Sequence, residues 1–319
     1  MILGHRTAPR TGRVLGTLVA LAAAMVMAAC GGGTSQSVAF VPGQYVAFGD
    51  DTSAIRADGR RFTVNPLSTL GGALDCAAEP IWTQAVAKQF GFVFKECNPD
   101  GATEFKAQMR AAGGARAADL QGQIDAQLAA GGFAAKSLAT VLIGTNDVFE
   151  LYGRFPQQSE EQITAELRAR GELIAAQVNR LVGLGVRVIV STVPDVGLSP
   201  YALQQKAAFT DTDRSALISR LVAAINGRIR VNILNDGRFV GLVLADESVQ
   251  SIVRVPAAFS VTNATTAVCT VAVPDCTSQT LVASGTSAAW LWADDWRMAQ
   301  GGQARLGALA VSRAVGNPF

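Results

Sequence analysis

Short, unbroken apolar segments alternate with amphipathic ones along most of this 319-residue chain. The clearest apolar segment is Val-Arg-Val-Ile-Val at residues 186–190, and similar segments lie at residues 45–48, 137–143 and 239–244. Hydrophobic residues recur at helical spacing at residues 81–90, 117–130 and 212–232. Strands that are buried on both faces have this continuous apolar character, and their alternation with helices is typical of parallel sheets. We therefore predict an α/β fold with a parallel central sheet covered by helices on both faces.

Three further segments complete this prediction. Ser159-Glu160-Glu161-Gln162 is a capping-box pattern that predicts the start of a long helix. Residues 251–285 break the alternation and are rich in Val, Thr and Ser, so we predict a β-hairpin insertion there. Residues 303–315 are rich in Ala and Leu and predict a final helix that closes the domain.

The N-terminal segment has the composition of a secretory signal. Arg6, Arg10 and Arg13, without any acidic residue, precede an apolar segment at residues 14–29. That segment is shorter than the roughly 20 residues of a membrane-spanning helix. We therefore expect a signal peptide at residues 1–29 that is removed on export. An uncleaved anchor or an ordinary signal peptide is the alternative.

A candidate lipid-attachment site ends the apolar segment. Met27-Ala28-Ala29-Cys30 resembles the bacterial lipobox, in which the cysteine receives lipid and becomes the new N-terminus. The Gly- and Ser-rich stretch that follows suits a flexible tether. We expect the lipidated cysteine and its tether over residues 30–40 and a folded domain over residues 41–319. Because Gly31 rather than Asp follows the cysteine, the resemblance favours an anchor in the bacterial outer membrane, facing the periplasm.

The charge balance argues against a nucleic-acid partner. The chain has 27 Lys and Arg against 25 Asp and Glu, and loss of residues 1–29 with their three arginines leaves 24 against 25. A protein that binds nucleic acid needs a basic face to neutralise phosphates. The near-neutral domain therefore predicts no nucleic-acid partner, and the lipid membrane is the expected contact of its N-terminal anchor.

Four cysteines remain in the expected mature domain, namely Cys76, Cys97, Cys269 and Cys276. An even number of cysteines in an exported protein is typical of disulfides, and four cysteines allow three pairings. We favour the local pairs Cys76–Cys97 and Cys269–Cys276, each of which closes a loop between predicted elements. No histidine and no Cys-x-x-Cys accompanies them, so the sequence predicts no zinc site, and we expect no cofactor.

Polar turns follow two predicted strands, and a third polar segment precedes the final helix. These are Gly49-Asp50-Asp51, Gly144-Thr145-Asn146-Asp147 and Asp294-Asp295-Trp296-Arg297. In an open parallel sheet, ligands bind outside the carboxyl ends of the strands. Taken singly, each segment is equally consistent with an ordinary turn or helix cap. Together they predict a site at the carboxyl edge of the sheet.

In this order, the segments resemble the sequence blocks of the GDSL/SGNH hydrolase family of lipases and esterases. Phe48–Asp51 matches the first block except at its serine, and Ala112–Ala115 resembles the second, in which Gly114 would supply an oxyanion-hole N–H. Gly144–Asp147 matches the third, in which Asn146 would be another oxyanion donor. The resemblance spans about residues 45–310. It implies a three-layer α/β/α, flavodoxin-like fold and ester hydrolysis by a Ser-His-Asp triad.

The triad itself has changed at two positions. The resemblance places Asp51 at the nucleophile, Asp294 at the triad acid and Arg297 at the histidine, and the only histidine of the chain is His5. A triad needs a hydroxyl nucleophile and a base that exchanges a proton near neutral pH. Arginine stays protonated, and a carboxylate at the nucleophile position would repel the developing oxyanion. We therefore predict that these three positions are catalytically inactive.

The two changed residues carry opposite charges, which suggests that their side chains form an ion pair. Asp51 and Arg297 would form a bidentate ion pair that holds the former active site shut. The expected function is then a lipid-anchored, non-catalytic protein that binds an acylated lipid or glycan, or a protein partner, in the former active-site cleft. Two unrelated solvated charges are the other interpretation.

An altered catalytic mechanism is the first alternative. Thr52 or Ser53 would replace the nucleophile, or Asp51 and Asp294 would act as a carboxylate pair of the kind that cleaves glycosides. The charge of Arg297 would keep Asp51 ionised, and no base is available for Thr52 or Ser53. Turn capping is therefore the interpretation that we favour for both hydroxyls.

A divalent-cation site is the second alternative. Asp50, Asp51, Asp294 and Asp295 could offer the oxygen-rich cluster that calcium prefers. The positive charge of Arg297 among them would oppose such a site.

Overall fold

The computed structural model describes residues 1, 2, 4, 40–69, 72–234 and 236–316. His5, Cys30 and nearly all of the predicted signal peptide and tether lie outside the described residues. Residues Ala39–Phe319 form one compact unit. None of the helices within the described ranges is long and apolar enough to cross a membrane.

A five-stranded parallel sheet forms the centre of the domain. Its strands are β1 (Gln44–Gly49), β2 (Ala107–Met109), β3 (Ser137–Leu142), β4 (Arg187–Ser191) and β5 (Val240–Val243). They stand in the order β2-β1-β3-β4-β5, which is the doubly wound order of flavodoxin-like folds. The predicted α/β fold with a parallel sheet is confirmed, and β2 is an edge strand that the sequence analysis missed.

Helices cover both faces of this sheet. They are α1 (Trp82–Gln89), α2 (Asp119–Ala129), α3 (Thr145–Tyr152), α4 (Glu160–Gly183), α5 (Pro200–Ala208), α6 (Arg214–Asn232), α7 (Ala245–Arg254) and α8 (Gln300–Val315). Alternate side chains of β1 enter two separate cores. Val46 and Phe48 pack in the core that includes α2, α4 and α6, whereas Tyr45 and Ala47 pack in the core that includes α1, α7 and α8. Burial on both faces explains the continuous apolar character of the strands.

The predicted capping box at the start of α4 is present. Ser159 Oγ accepts a hydrogen bond from the Gln162 N–H at 3.3 Å, and the Gln162 side chain accepts one from the Ser159 N–H at 2.9 Å. These two bonds satisfy backbone groups that a helix start otherwise leaves unpaired. Glu160 and Glu161 in the first turn also interact favourably with the helix dipole.

The predicted β-hairpin at residues 251–285 was wrong. Its first residues complete α7, because Val249 and Ile252 fall on the buried face of that helix and Pro256 lies just beyond its end. The following strand, β6 (Asn263–Ala267), pairs in parallel with β7 (Trp290–Trp292), outside the central sheet. Within the rest of the insertion, Cys269 and Leu281 form only an isolated antiparallel bridge.

Both favoured disulfides are present. Cys76–Cys97 links residues 21 positions apart, and Cys269–Cys276 closes a loop between residues seven positions apart within the insertion. The Cys269–Cys276 bridge lies in a small apolar cluster that includes Val268 and Ala293. It therefore constrains a segment that has little regular secondary structure of its own.

Candidate active site

The loops after four strands meet at the carboxyl end of the sheet. Asp51 follows β1, Gly114 follows β2, Asn146 is at the start of α3 just after β3, and Arg297 follows β7. Hydrogen bonds join all four residues into one network. The site that the sequence predicted at this edge is thus assembled from segments that are far apart in the chain.

A glycine sets the sharp turn between β1 and Asp51. Gly49 has a φ of 137°, and a Cβ there would lie 2.0 Å from the Leu142 carbonyl oxygen. The same oxygen accepts a hydrogen bond from the Asp50 N–H at 3.0 Å. Only glycine permits this approach of two backbones, so the turn directs Asp51 across the end of the sheet.

The Asp51 carboxylate occupies the place where the family resemblance locates the oxyanion hole. Its Oδ2 accepts hydrogen bonds from the Gly114 N–H at 2.9 Å and from Asn146 Nδ2 at 2.8 Å. Its Oδ1 accepts two more from Arg297, from Nε at 3.2 Å and from Nη2 at 3.1 Å. Both oxygens of the carboxylate are therefore bound, each by two N–H donors.

Arg297 is held on its other side by Asp294. Its Nη1 donates to Asp294 Oδ2 at 2.8 Å, and its backbone N–H donates to Asp294 Oδ1 at 2.8 Å. The guanidinium carbon also lies 4.7 Å from the centroid of the Trp296 ring and 5.7 Å from that of Phe62. Burial opposes the charge, but the two carboxylates outweigh it and raise the pKa of Arg297 above its ordinary value.

The ion pair expected between Asp51 and Arg297 thus exists, but its geometry differs from the expected one. In a bidentate pair, two nitrogens meet two carboxylate oxygens. Here both arginine nitrogens converge on one oxygen, because the other oxygen binds Gly114 and Asn146. The Asp51 side chain is 7% exposed and that of Arg297 is 19% exposed, so the pair is largely removed from water.

Little space remains at this point of the molecule. The cavity bounded by Asp51, Asn146 and Arg297 offers about 10 Å³ to the centre of a water molecule. A single water needs roughly that much room. In this conformation the centre is closed to an acyl group.

Asp50 is a buried acid that the sequence analysis treated only as a possible cation ligand. Burial, together with the charge of Asp51, raises the pKa of Asp50 to about 7, although hydrogen bonding by Thr52 acts in the opposite direction. Its Oδ1 accepts from the Thr52 N–H at 3.0 Å, whereas its Oδ2 has no hydrogen-bond partner among the described residues. Its ionised form is thus poorly compensated.

Replacing Asp50 by Asn should remove a pH-dependent loss of stability. The folded-state pKa is raised above the unfolded one, so the wild type loses stability as pH rises from the unfolded pKa, about 4, towards 7. The unfolding free energy of Asp50→Asn minus that of wild type should therefore increase between pH 4 and pH 8. We expect an increase of up to roughly 4 kcal/mol. Urea unfolding of both proteins across this range measures the difference, with the exposed Asp100→Asn as control. A difference that does not change with pH would contradict the burial argument.

The hydroxyls of the altered-mechanism alternative lie in different surroundings. Ser53 is fully buried, and its Oγ accepts a hydrogen bond from Trp82 Nε1 at 3.2 Å. Thr52 lies beside the small cavity, and its backbone carbonyl accepts a weak hydrogen bond from Gln303 at 3.4 Å. The proposed carboxylate pair, Asp51 and Asp294, is joined through Arg297.

The acidic residues of the divalent-cation hypothesis contact different partners and do not share one site. Within the described ranges there is no group of three or more His, Cys, Asp or Glu side chains that could hold a metal ion. Asp51 and Asp294 bind Arg297, while Asp295 is exposed and its carbonyl oxygen accepts from the Tyr201 N–H at 3.0 Å. The structure gives the cation hypothesis no support.

Two aromatic residues beside Trp296, Phe149 and Tyr201, were not identified in the sequence analysis. The Trp296 ring lies 4.6 Å from Phe149 and 5.9 Å from Tyr201, and Phe149 and Tyr201 meet edge to face at 5.3 Å. Each of the three side chains is partly exposed. Tyr201 belongs to α5, whose start is marked in the sequence by Ser199 as N-cap and Pro200 in the first turn. That signal could have located it.

The chain matches a known protein family and is similar in fold to solved structures. The family model described as GDSL-like Lipase/Acylhydrolase matches residues 45–283. The chain is similar to an acetylxylan esterase from Geobacillus stearothermophilus, with 15% identity, a TM-score of 0.40 and coverage of 87% of this chain and 96% of the esterase. It is also similar to a lipase/acylhydrolase from Enterococcus faecalis, with 14% identity, a TM-score of 0.36 and coverage of 84% and 93%. No curated protein matches the chain.

Proposed function

The chain belongs to the GDSL-like lipase and acylhydrolase family, and we propose that it is a member that has lost ester hydrolysis and acts by binding. The proposed ligand is an acylated lipid or glycan, or a protein partner, held at the former active-site cleft. The proposed location is the bacterial cell envelope, with the protein anchored in the outer membrane through a lipidated Cys30.

One observation carries the proposed loss of hydrolysis. The Asp51 carboxylate fills the two donors, Gly114 and Asn146, that would stabilise an oxyanion, and it lies where the serine hydroxyl of an active member would be. Arg297 stands where the general base would be, and a guanidinium cannot accept a proton in the accessible pH range. The Asp51–Arg297 network therefore replaces the nucleophile and the base, and it also occupies the donors of the oxyanion hole.

The surface beside this network supports binding. Phe149, Tyr201 and Trp296 form a partly exposed aromatic cluster next to Arg297. Aromatic faces bind acyl chains through apolar contact and sugar rings by stacking. Since the centre itself is closed, the ligand would contact this cluster rather than the triad positions.

The alternative, an esterase of altered mechanism, has less support. Ser53 is buried away from solvent, and Thr52 would need free oxyanion donors opposite the attacked carbonyl. Those donors bind Asp51 instead. The Asp50 carboxylate accepts a hydrogen bond from the Thr52 N–H, but it offers no substitute for the occupied oxyanion hole.

A fluorophosphonate probe tests the proposed loss directly, because it labels activated hydroxyl nucleophiles. We expect the purified wild type to show neither covalent labelling by mass spectrometry nor hydrolysis of short p-nitrophenyl esters above the buffer rate. An active esterase of the same family is the positive control. Labelling of Thr52 or Ser53 that disappears in Thr52→Ala or Ser53→Ala would establish the alternative instead.

A further inference from the structure

We propose that the Gly114 N–H, the Asn146 side-chain amide and the Arg297 guanidinium form a carboxylate-binding site, and that Asp51 is its built-in ligand. This inference goes beyond the proposed function, because it assigns a ligand class to the centre itself rather than to the aromatic surface beside it. We refer to these three donors as the carboxylate cradle.

The number and direction of the donors match a planar, two-oxygen anion. Two N–H groups reach Oδ2 at 2.9 and 2.8 Å, and two reach Oδ1 at 3.2 and 3.1 Å. An ionised carboxylate has about four acceptor sites, so this set saturates it. The single charged oxygen of an ester-cleavage intermediate would use only the half of the cradle that Gly114 and Asn146 supply. The Arg297 half therefore adds selectivity for a carboxylate.

Two of the three donors, Asn146 and Arg297, are held in place by groups other than Asp51. Asn146 Nδ2 also donates to the Ala115 carbonyl oxygen at 3.0 Å, which fixes the amide. Arg297 is fixed by two hydrogen bonds to Asp294 and by the Trp296 ring. Because these contacts do not involve residue 51, the cradle should keep its geometry when the Asp51 side chain is removed. Such preorganisation lowers the cost of binding an external ligand.

The size of the ligand follows from the side chain that it replaces. Asp51→Gly deletes a methylene and a carboxylate, which together have the heavy atoms of acetate. Asp51→Ala keeps the methylene carbon and deletes only the carboxylate, so formate replaces the missing atoms and the methyl group of acetate would meet the alanine Cβ. The class of ligand is thus a short monocarboxylate, and its preferred length should change with the residue at position 51.

In the experiment, wild type, Asp51→Gly and Asp51→Ala are titrated with sodium acetate, sodium formate and acetamide. Binding is measured by the thermal unfolding midpoint and by ¹³C NMR of the labelled carboxylate. Sodium chloride at equal ionic strength corrects for salt. We expect acetate to raise the unfolding midpoint of Asp51→Gly with half-saturation on the order of 10 mM, typical of a four-atom ligand. For Asp51→Ala, formate should act at lower concentration than acetate. Wild type should respond to neither, and neutral acetamide should have no effect on any variant.

The matched control is Asp51→Gly/Arg297→Met, which lacks the cation of the cradle. We expect its half-saturation for acetate to rise at least about tenfold, because charge-assisted hydrogen bonds to one carboxylate oxygen are lost. The proposal is overturned if folded Asp51→Gly and Asp51→Ala bind neither anion, or if the double variant binds acetate as well as the single one. These results are separable from ester hydrolysis, since an active wild type would contradict the proposed function without affecting carboxylate binding.

Discussion

The double variant Asp51→Ser/Arg297→His should hydrolyse p-nitrophenyl acetate, and the wild type should not. Removing the carboxylate frees the Gly114 N–H and the Asn146 amide for an oxyanion. Asp294 already accepts hydrogen bonds from the Arg297 N–H and from Nη1, so it is placed to orient a histidine at that position. We expect hydrolysis at roughly 10²–10³ times the buffer rate, the range that general-base and oxyanion contributions supply.

The single variants are the controls for this gain. Asp51→Ser alone leaves a serine without a base, and Arg297→His alone leaves the oxyanion donors occupied by Asp51. Because the groups of a triad act as a unit, their effects should be far from additive, and neither single variant should exceed the wild-type rate appreciably. If the folded double variant is as inactive as wild type, the centre has diverged beyond its two changed side chains.

Arg297→Met should be the most destabilising single substitution in the site. It leaves Asp51 and Asp294 largely buried without their shared cation, next to the buried Asp50. Breaking a buried pair by removing one partner costs about 3–5 kcal/mol, and the 19% exposure of Arg297 favours the lower end, about 3 kcal/mol.

Urea unfolding of wild type, Arg297→Met and Arg297→Lys at pH 8 measures this effect. Lysine keeps the charge but cannot contact both carboxylates with a rigid fork, so its loss should be intermediate. A loss below about 1 kcal/mol for Arg297→Met, the value of exposed ion pairs, would mean that water compensates these charges.

The sequence predicted the central sheet because its strands are buried on both faces. The apolar segments Ser137–Ile143 and Val186–Val190 lie between predicted helices, so they are best interpreted as buried strands. In the structure they contain β3 and most of β4. Residues 251–285 were misinterpreted because Val, Thr and Ser are common both in strands and in irregular segments that a disulfide constrains. Composition alone cannot separate the two.

The candidate site was only partly predictable. The family resemblance suggested that Asp51 and Arg297 could meet, since it places them at the nucleophile and histidine positions of one triad. It could not show that the other oxygen of Asp51 binds Gly114 and Asn146, because the direction of a side chain depends on tertiary packing. The burial that shifts the Asp50 pKa is likewise a property of the assembled fold rather than of a local pattern.

The link between Asp51 and Arg297 joins positions 246 residues apart. During synthesis, nearly the whole chain must therefore be made before the acidic turn at Asp51 can meet its counterion. Contacts of such long range form late, because the intervening chain has to be ordered first. A chain truncated before the segment that contains Arg297 would therefore be left with an uncompensated acidic turn.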